Sequence, residues 1–252
     1  LKNKANYCVV EKNINKLSKK KLIKYTNTKI FLNKLAVLKR NHVNAKVIAI
    51  TGSSGKTTLK TFIGKILNEY GKTYFSQKSF NNYIGVPFSL SNLESDHKYG
   101  VFEIGMSNKG EIKRLSSLVK PDIAIITNIG EAHMENFDNL NGIAEAKSEI
   151  IQNINKGGHL ILNRDDKYFN YLSNLAKKRK INVLSFGLAS KADAKLIKNK
   201  LYKNYNNLHF RVLNKNIYLK VKNINSLVII NILSTLLTLH ILDLDLSKIV
   251  NF

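Results

Sequence analysis

The sequence predicts an α/β fold: a P-loop-type, mostly parallel sheet with helices on both faces and a small antiparallel hairpin region near the C-terminal end. Three observations carry this. Short apolar runs alternate with longer amphipathic stretches, the rhythm of a parallel sheet with crossover helices. Runs such as Ile123–Ile126 are continuously apolar, as strands buried on two faces must be. A glycine-containing segment, Thr51–Thr58, joins the apolar run Val47–Ile50 to a helix-length stretch, Leu59–Tyr70.

In chain order, Tyr7–Val10 reads as a short strand and Phe31–Arg40 as a helix, in a leading piece of residues 1–44 that is too small to fold alone. Val47–Thr51, Val101–Ile104, Ile123–Thr127, Leu160–Leu162 and Val183–Phe186 read as the sheet strands. Between Ala194 and Val221 the pattern changes. Leu208–Leu213 and Ile217–Val221 alternate around the polar Asn214–Asn216, which predicts an antiparallel hairpin at the edge of the main sheet. Ser226–Leu242 contains Asn231, Thr235, Thr238 and His240 and falls short of the roughly 20 apolar residues a membrane helix needs, so it reads as a buried helix and no membrane span is expected.

The composition, 252 residues with 44% hydrophobic content, supports a substantial core. Lys and Arg number 41 against 17 Asp and Glu, for a formal charge of +24, which raises the question of nucleic acid. The cations are spread over every expected loop and helix face, with no aromatic-interleaved basic stripe, so a solvated lysine-rich surface is expected and no nucleic-acid partner. Cys8 is the single cysteine, so no intramolecular disulfide is available and a cytoplasmic location fits. The chain starts at Leu1, and Lys2–Val10 lacks the long apolar core of a signal peptide, so the start reads as a truncation.

The sharpest chemical signal is Thr51-Gly52-Ser53-Ser54-Gly55-Lys56-Thr57-Thr58 between strand and helix. Glycines let backbone N–H groups turn inward, the helix N-terminus adds partial positive charge, and Lys56 can reach terminal phosphates. Thr57 or Thr58 offers a hydroxyl for Mg²⁺. Only two residues separate Gly52 from Gly55, where the widely shared phosphate loop has four. An ordinary glycine turn opening a helix is the plain alternative.

This shorter form resembles the phosphate loop of the Mur ligases and their relatives, and further segments extend the resemblance. Asn81-Asn82-Tyr83-Ile84-Gly85-Val86-Pro87 looks like the stretch of the branch that adds D-alanyl-D-alanine, which implies substrate-binding roles for Asn81 and Asn82. Phe102-Glu103-Ile104-Gly105-Met106-Ser107 is similar to the same branch, and implies that Glu103 holds Mg²⁺; a strand-end glutamate facing solvent is the alternative. Thr127-Asn128-Ile129-Gly130-Glu131-Ala132-His133 follows a strand at the carboxyl edge, and the resemblance gives His133 to a second Mg²⁺, against a structural hydrogen-bonding histidine.

In Ala144–Ile150, Lys147 matches the lysine that several members carry as a carbamate contributing to the second metal site; a plain amine bridging phosphate and a helix-surface lysine are the other readings. Asn163-Arg164-Asp165-Asp166 resembles a turn near the nucleotide, or is an Asx turn ending a strand. Asn231 matches an asparagine used near adenine, although Asn225-Ser226-Leu227 replaces the usual Gly-x-His before it.

The resemblance covers about residues 45–252 as a central ATP-binding domain and residues 1–44 weakly as the tail of a UDP-substrate-binding domain, with the carboxyl-terminal ligase domain absent. It implies ATP and Mg²⁺ as cofactors, and an amide-forming ligase of peptidoglycan precursor synthesis acting through an acyl phosphate. UDP-N-acetylmuramoyl-tripeptide and D-alanyl-D-alanine are the implied substrates, and the chain is expected to be a monomer, poorly active alone. Lys56, Glu103, His133 and Lys147 are the expected catalytic set. The competing functions are another ligase of the family, adding a single amino acid or glutamate, and a P-loop NTPase not coupled to ligation.

Overall fold

The computed structural model describes residues 6–12, 14, 19–132, 134–189, 191–222 and 225–246. Among these, strands β1 (Cys8–Val10) and β2 (Leu22–Lys24) pair in parallel as a separate two-stranded sheet. Helix α1 (Thr28–His42) follows, capped by Asn27, whose side chain accepts from the amides of Lys29 and Ile30. It lies on the main body, burying Ala36. Arg40 ties its last turns to the core by donating to the Val119 carbonyl at 2.7 Å.

The main sheet has nine strands in the order β11-β10-β9-β8-β7-β6-β3-β5-β4. From β3 (Lys46–Thr51) the chain runs through α2 (Lys56–Asn68), β4 (Thr73–Phe75), α3 (Gly85–Ser91), β5 (Tyr99–Glu103), α4 (Glu111–Val119) and β6 (Ile123–Ile126). It continues through α5 (Leu140–Ser148), β7 (His159–Asn163), α6 (Phe169–Lys178) and β8 (Asn182–Gly187) to the antiparallel strands β9 (Ala194–Tyr202), β10 (Tyr205–Val212) and β11 (Lys215–Val221), and ends on α7 (Ser226–Ile241). Every pairing from β4 to β9 is parallel, and β9–β10 and β10–β11 are antiparallel.

Continuous apolar strands arise because the sheet is covered twice. Along β3, Val47 and Ala49 pack into one layer with α1, α3, α4, α5 and α6, while Ile48 and Ile50 pack into the other with α2 and α7. Each fully buried aliphatic side chain contributes about 1.5–3 kcal/mol relative to exposure. The run at 226–242 is indeed a buried helix within the second layer, and no described helix is long and apolar enough to cross a membrane.

Two strands of the main sheet escape the sequence reading, as does β2 outside it. Strand β4 is three half-buried residues, too short to show a period. Strand β9 carries Lys198 and Lys200 in its exposed distal half, which hides the apolar signal of a strand. Register also corrects the expectation about basic residues. Lys198, His209 and Tyr218 fall in one cross-strand row and Lys200, Asn207 and Lys220 in the next, so aromatic and basic side chains do interleave on this outer face.

Strand order positions the site. The chain leaves β3 toward β4 and β5 on one side and returns to β6 on the other, which makes the carboxyl end of β3 a topological switch point. The loops after β3, β5 and β6 meet there.

Candidate active site

The phosphate loop joins β3 to α2 as the motif requires. Gly52 has φ +147° and Gly55 φ +79°, and Gly55 caps the helix that begins at Lys56. Gly52 also lies against β6: a Cβ there would approach Thr127 Oγ1 to 1.9 Å.

The loop is laced to the residues that follow β6. Asn128 Oδ1 accepts from the amides of Ser53 at 3.1 Å and Ser54 at 3.0 Å, while its Nδ2 donates to Ser54 Oγ at 2.7 Å. Ser53 Oγ accepts from the Gly130 amide, and Thr127 Oγ1 donates to the Ser54 carbonyl at 2.6 Å. Lys56 Nζ turns over the loop and donates to the Gly52 carbonyl at 2.7 Å. Burial lowers the Lys56 pKa, and the charge of Glu103 partly offsets that.

Glu103 ends β5 with only 1% of its surface exposed, which removes the solvent-facing alternative. Thr57 Oγ1 donates to Glu103 Oε2 at 2.8 Å and lies 3.1 Å from Ser79 Oγ. Asn81 Nδ2 donates to Glu103 Oε1 at 2.7 Å. Buried Lys60 lies one turn beyond Lys56; its Nζ is 3.9 Å from Glu103 Oε2 and donates to the Lys78 carbonyl. A hydroxyl and a carboxylate converging at a helix N-terminus are hard oxygen donors suited to Mg²⁺, so Thr57 and Glu103 fit the cation the sequence implies.

Lys147, on α5, is 2% exposed, and the helix-surface alternative fails. Burial, reinforced by the charge of Lys56, pushes its pKa down to about 7. Its amine is therefore partly neutral at neutral pH, as carbamate formation requires. His133 lies outside the described residues. Thr58 occupies the first turn of α2 with its side chain exposed, leaving Thr57 as the hydroxyl that meets Glu103.

Other expected residues take supporting positions. Asn82 Oδ1 accepts from the amides of Ile84 and Gly85 and so braces the turn that leads into α3. Asn163 Oδ1 accepts from the Asp165 amide at 3.0 Å, the Asx turn of the plain reading. Asp166 then receives the Ile129 amide at 2.6 Å, and Asp165 receives those of Leu188 and Ala189. Asn231 is buried early in α7, and Asn225, in place of the usual Gly-x-His, caps that helix through the Val228 amide.

Sequence reasoning passed over Lys60, Ser79 and Asn128. A signal existed for Lys60, a lysine within the apolar stripe of Leu59, Ile63 and Leu67. Asn128 stood within the segment singled out by resemblance but was given no role, and nothing marked Ser79, whose partner Thr57 lies 22 residues earlier.

The chain is similar to known proteins in sequence and in fold. Residues 50–239 match the family described as Mur ligase middle domain. A UDP-N-acetylmuramoyl-tripeptide--D-alanyl-D-alanine ligase of Rickettsia prowazekii is 38% identical over 244 residues, covering 96% of this chain and 54% of the relative. A ligase of the same name from Escherichia coli is 37% identical over 154 residues, covering 61% of this chain and 34% of the relative. The chain thus spans about half the length of the first of these.

Among solved structures, MurF from Acinetobacter baumannii superposes with a TM-score of 0.87 at 29% identity, covering 99% of this chain and 54% of that one. MurF ligase from Thermotoga maritima, in complex with ADP, superposes with a TM-score of 0.84 at 25% identity, covering 100% of this chain and 58% of that one. With the short phosphate loop, the buried glutamate at the end of β5 and the matching region across most of its length, the chain belongs to the Mur ligase family.

Proposed function

We propose that this chain is the nucleotide-binding, carboxylate-activating part of an ATP-dependent ligase that joins D-alanyl-D-alanine to UDP-N-acetylmuramoyl-tripeptide in peptidoglycan precursor synthesis. The observation that carries the reading is the meeting of the phosphate loop with Glu103 through Thr57, in a chain whose relatives bear that ligase name. Residues 45–252 form the ATP-binding unit, and residues 1–44 belong with a preceding UDP-substrate unit.

A carboxylate resists attack because its charge repels the nucleophile. Transfer of the γ-phosphoryl group of ATP to a carboxylate oxygen of the tripeptide, releasing ADP, neutralises that charge and installs a leaving group. The D-alanyl-D-alanine amine then adds to the acyl carbon; the tetrahedral intermediate loses inorganic phosphate and the amine loses a proton, leaving the amide. Phosphoryl transfer depends chiefly on positioning and charge neutralisation. Loop amides and Lys56 bind and orient the phosphates, and Thr57 and Glu103 would hold Mg²⁺. When bound, that cation supplies charge stabilisation to the transferring phosphoryl oxygens. Lys147, beside Lys56, is a further group of this site, as an amine toward phosphate or as a carbamate toward a second cation.

The test is ATP turnover with and without UDP-N-acetylmuramoyl-tripeptide and D-alanyl-D-alanine, following phosphate and amide product together. Phosphate release that needs both substrates and matches product one for one is the expected result. Release indifferent to both would instead describe an uncoupled NTPase.

A further inference from the structure

Two sequence segments far apart in the chain interlock at one carboxylate. Thr57 takes Glu103 Oε2, and Asn81 Nδ2 takes Oε1 at 2.7 Å, so the plane of the carboxylate is held from both ends. The Asn81 carbonyl also accepts from the Gly105 amide at 2.8 Å. A Cβ at Gly105 would stand 2.9 Å from the Asn81 side-chain amide carbon, so the absence of a side chain at 105 is what admits Asn81 to Glu103. The same segment is fixed from α2, where Lys60 holds the Lys78 carbonyl and Thr57 meets Ser79 Oγ.

We propose that Asn81 is a positioning residue that holds Glu103 in its cation-binding orientation, with Gly105 as the space that makes this contact fit. The inference rests on the nucleotide-binding reading above, and it moves Asn81 from the substrate contact expected from sequence to the support of the metal carboxylate. A neutral amide suits this task. It fixes the rotation of a buried carboxylate with a charge-assisted bond while leaving the negative charge for the cation. Groups that orient a metal ligand in this way typically change metal affinity ten- to a hundredfold when removed, about the effect expected here.

The experiment is calorimetric titration of the chain with ADP, once with Mg²⁺ and once with EDTA, for the wild type, Asn81→Ala and Gly105→Ala, with thermal melting of each. The expected result is that both variants lose about ten- to a hundredfold of the gain in ADP affinity that Mg²⁺ confers, while affinity in EDTA stays at the wild-type value. Gly105→Ala is informative because it disturbs Asn81 without deleting a donor. Asn81→Ala alone decides the matter where Gly105→Ala fails to fold.

An intact Mg²⁺-dependent gain in Asn81→Ala would overturn the proposal and return Asn81 to a substrate contact. A parallel fall of both affinities together with melting temperature would also overturn it, by showing a general structural role. Lys56→Ala separates the two levels: a fall in ADP affinity in both buffers there supports the nucleotide site, whatever Asn81 does.

Discussion

Asn128 presents its side-chain oxygen to the Ser54 amide at 3.0 Å, from a loop 74 residues further along the chain. The same oxygen takes the Ser53 amide, so one asparagine shapes two consecutive donors of the phosphate loop. Asn128→Ala removes the side-chain bonds to Ser54, while the Ser53 amide keeps the Asn128 backbone carbonyl at 3.0 Å. The expected loss of stability is about 0.5–1.5 kcal/mol, read by urea denaturation. An unchanged midpoint and slope would show that the loop keeps its form without this contact.

Lys56→Ala removes the cation that overlies the loop. ADP affinity is expected to fall about ten- to a hundredfold, the range of a charge-assisted hydrogen bond. Calorimetry checks it, and equal affinity of variant and wild type would dismiss Lys56 as a phosphate ligand.

Gly52→Ala combines a left-handed backbone at φ +147° with a Cβ driven to 1.9 Å from Thr127 Oγ1. Destabilisation of about 2–5 kcal/mol is expected, from backbone strain added to overpacking. Thr127→Ala in the same chain should recover part of it by removing the clash, leaving the backbone component. A melting series of the two single variants and the double variant measures that coupling, and strict additivity would contradict the contact.

Lys147 links stability to pH. The folded chain releases its proton at about pH 7, whereas an ordinary lysine such as that of the unfolded chain holds it to 10.5. Between those values the unfolded state binds more protons, so this group makes the fold more stable as pH rises from about 7 toward 10.5 and contributes its full penalty below 7. In Lys147→Met that rise should be missing when unfolding is measured across the same range. A slope identical to the wild type would place the buried amine's titration elsewhere.

The parts of this fold legible in the sequence are those where one local rule dominates. Strands β3, β5, β6 and β7 announce themselves because burial on two faces leaves little room for polar residues. Gly52, Gly55 and Lys56 were readable because the loop's chemistry is contiguous. Glu103 was readable as a strand-end carboxylate, but its surroundings were not. Thr57 was expected at the same cation, whereas Asn81 and Lys60 reach Glu103 from the loop before α3 and from α2, and only strand order brings these together. Asn82, read for substrate, also has a local task that the sequence did not announce, its Oδ1 holding the amides of the turn before α3. Strand β9 failed for a third reason: an exposed strand keeps its backbone pairing while its side chains follow solvent.

Lacing the phosphate loop to Asn128 also orders events in time. Strand β3 pairs with β5 on one side and β6 on the other, so during synthesis the loop residues emerge long before the strands and the asparagine that give them shape. Such non-local pairings close late and slow folding, whereas β9, β10 and β11 are successive neighbours that can zip locally. A nascent chain ending before Asn128 would carry the whole glycine-lysine motif and still lack its mould, so competence to bind nucleotide becomes a marker that the centre of the sheet has closed.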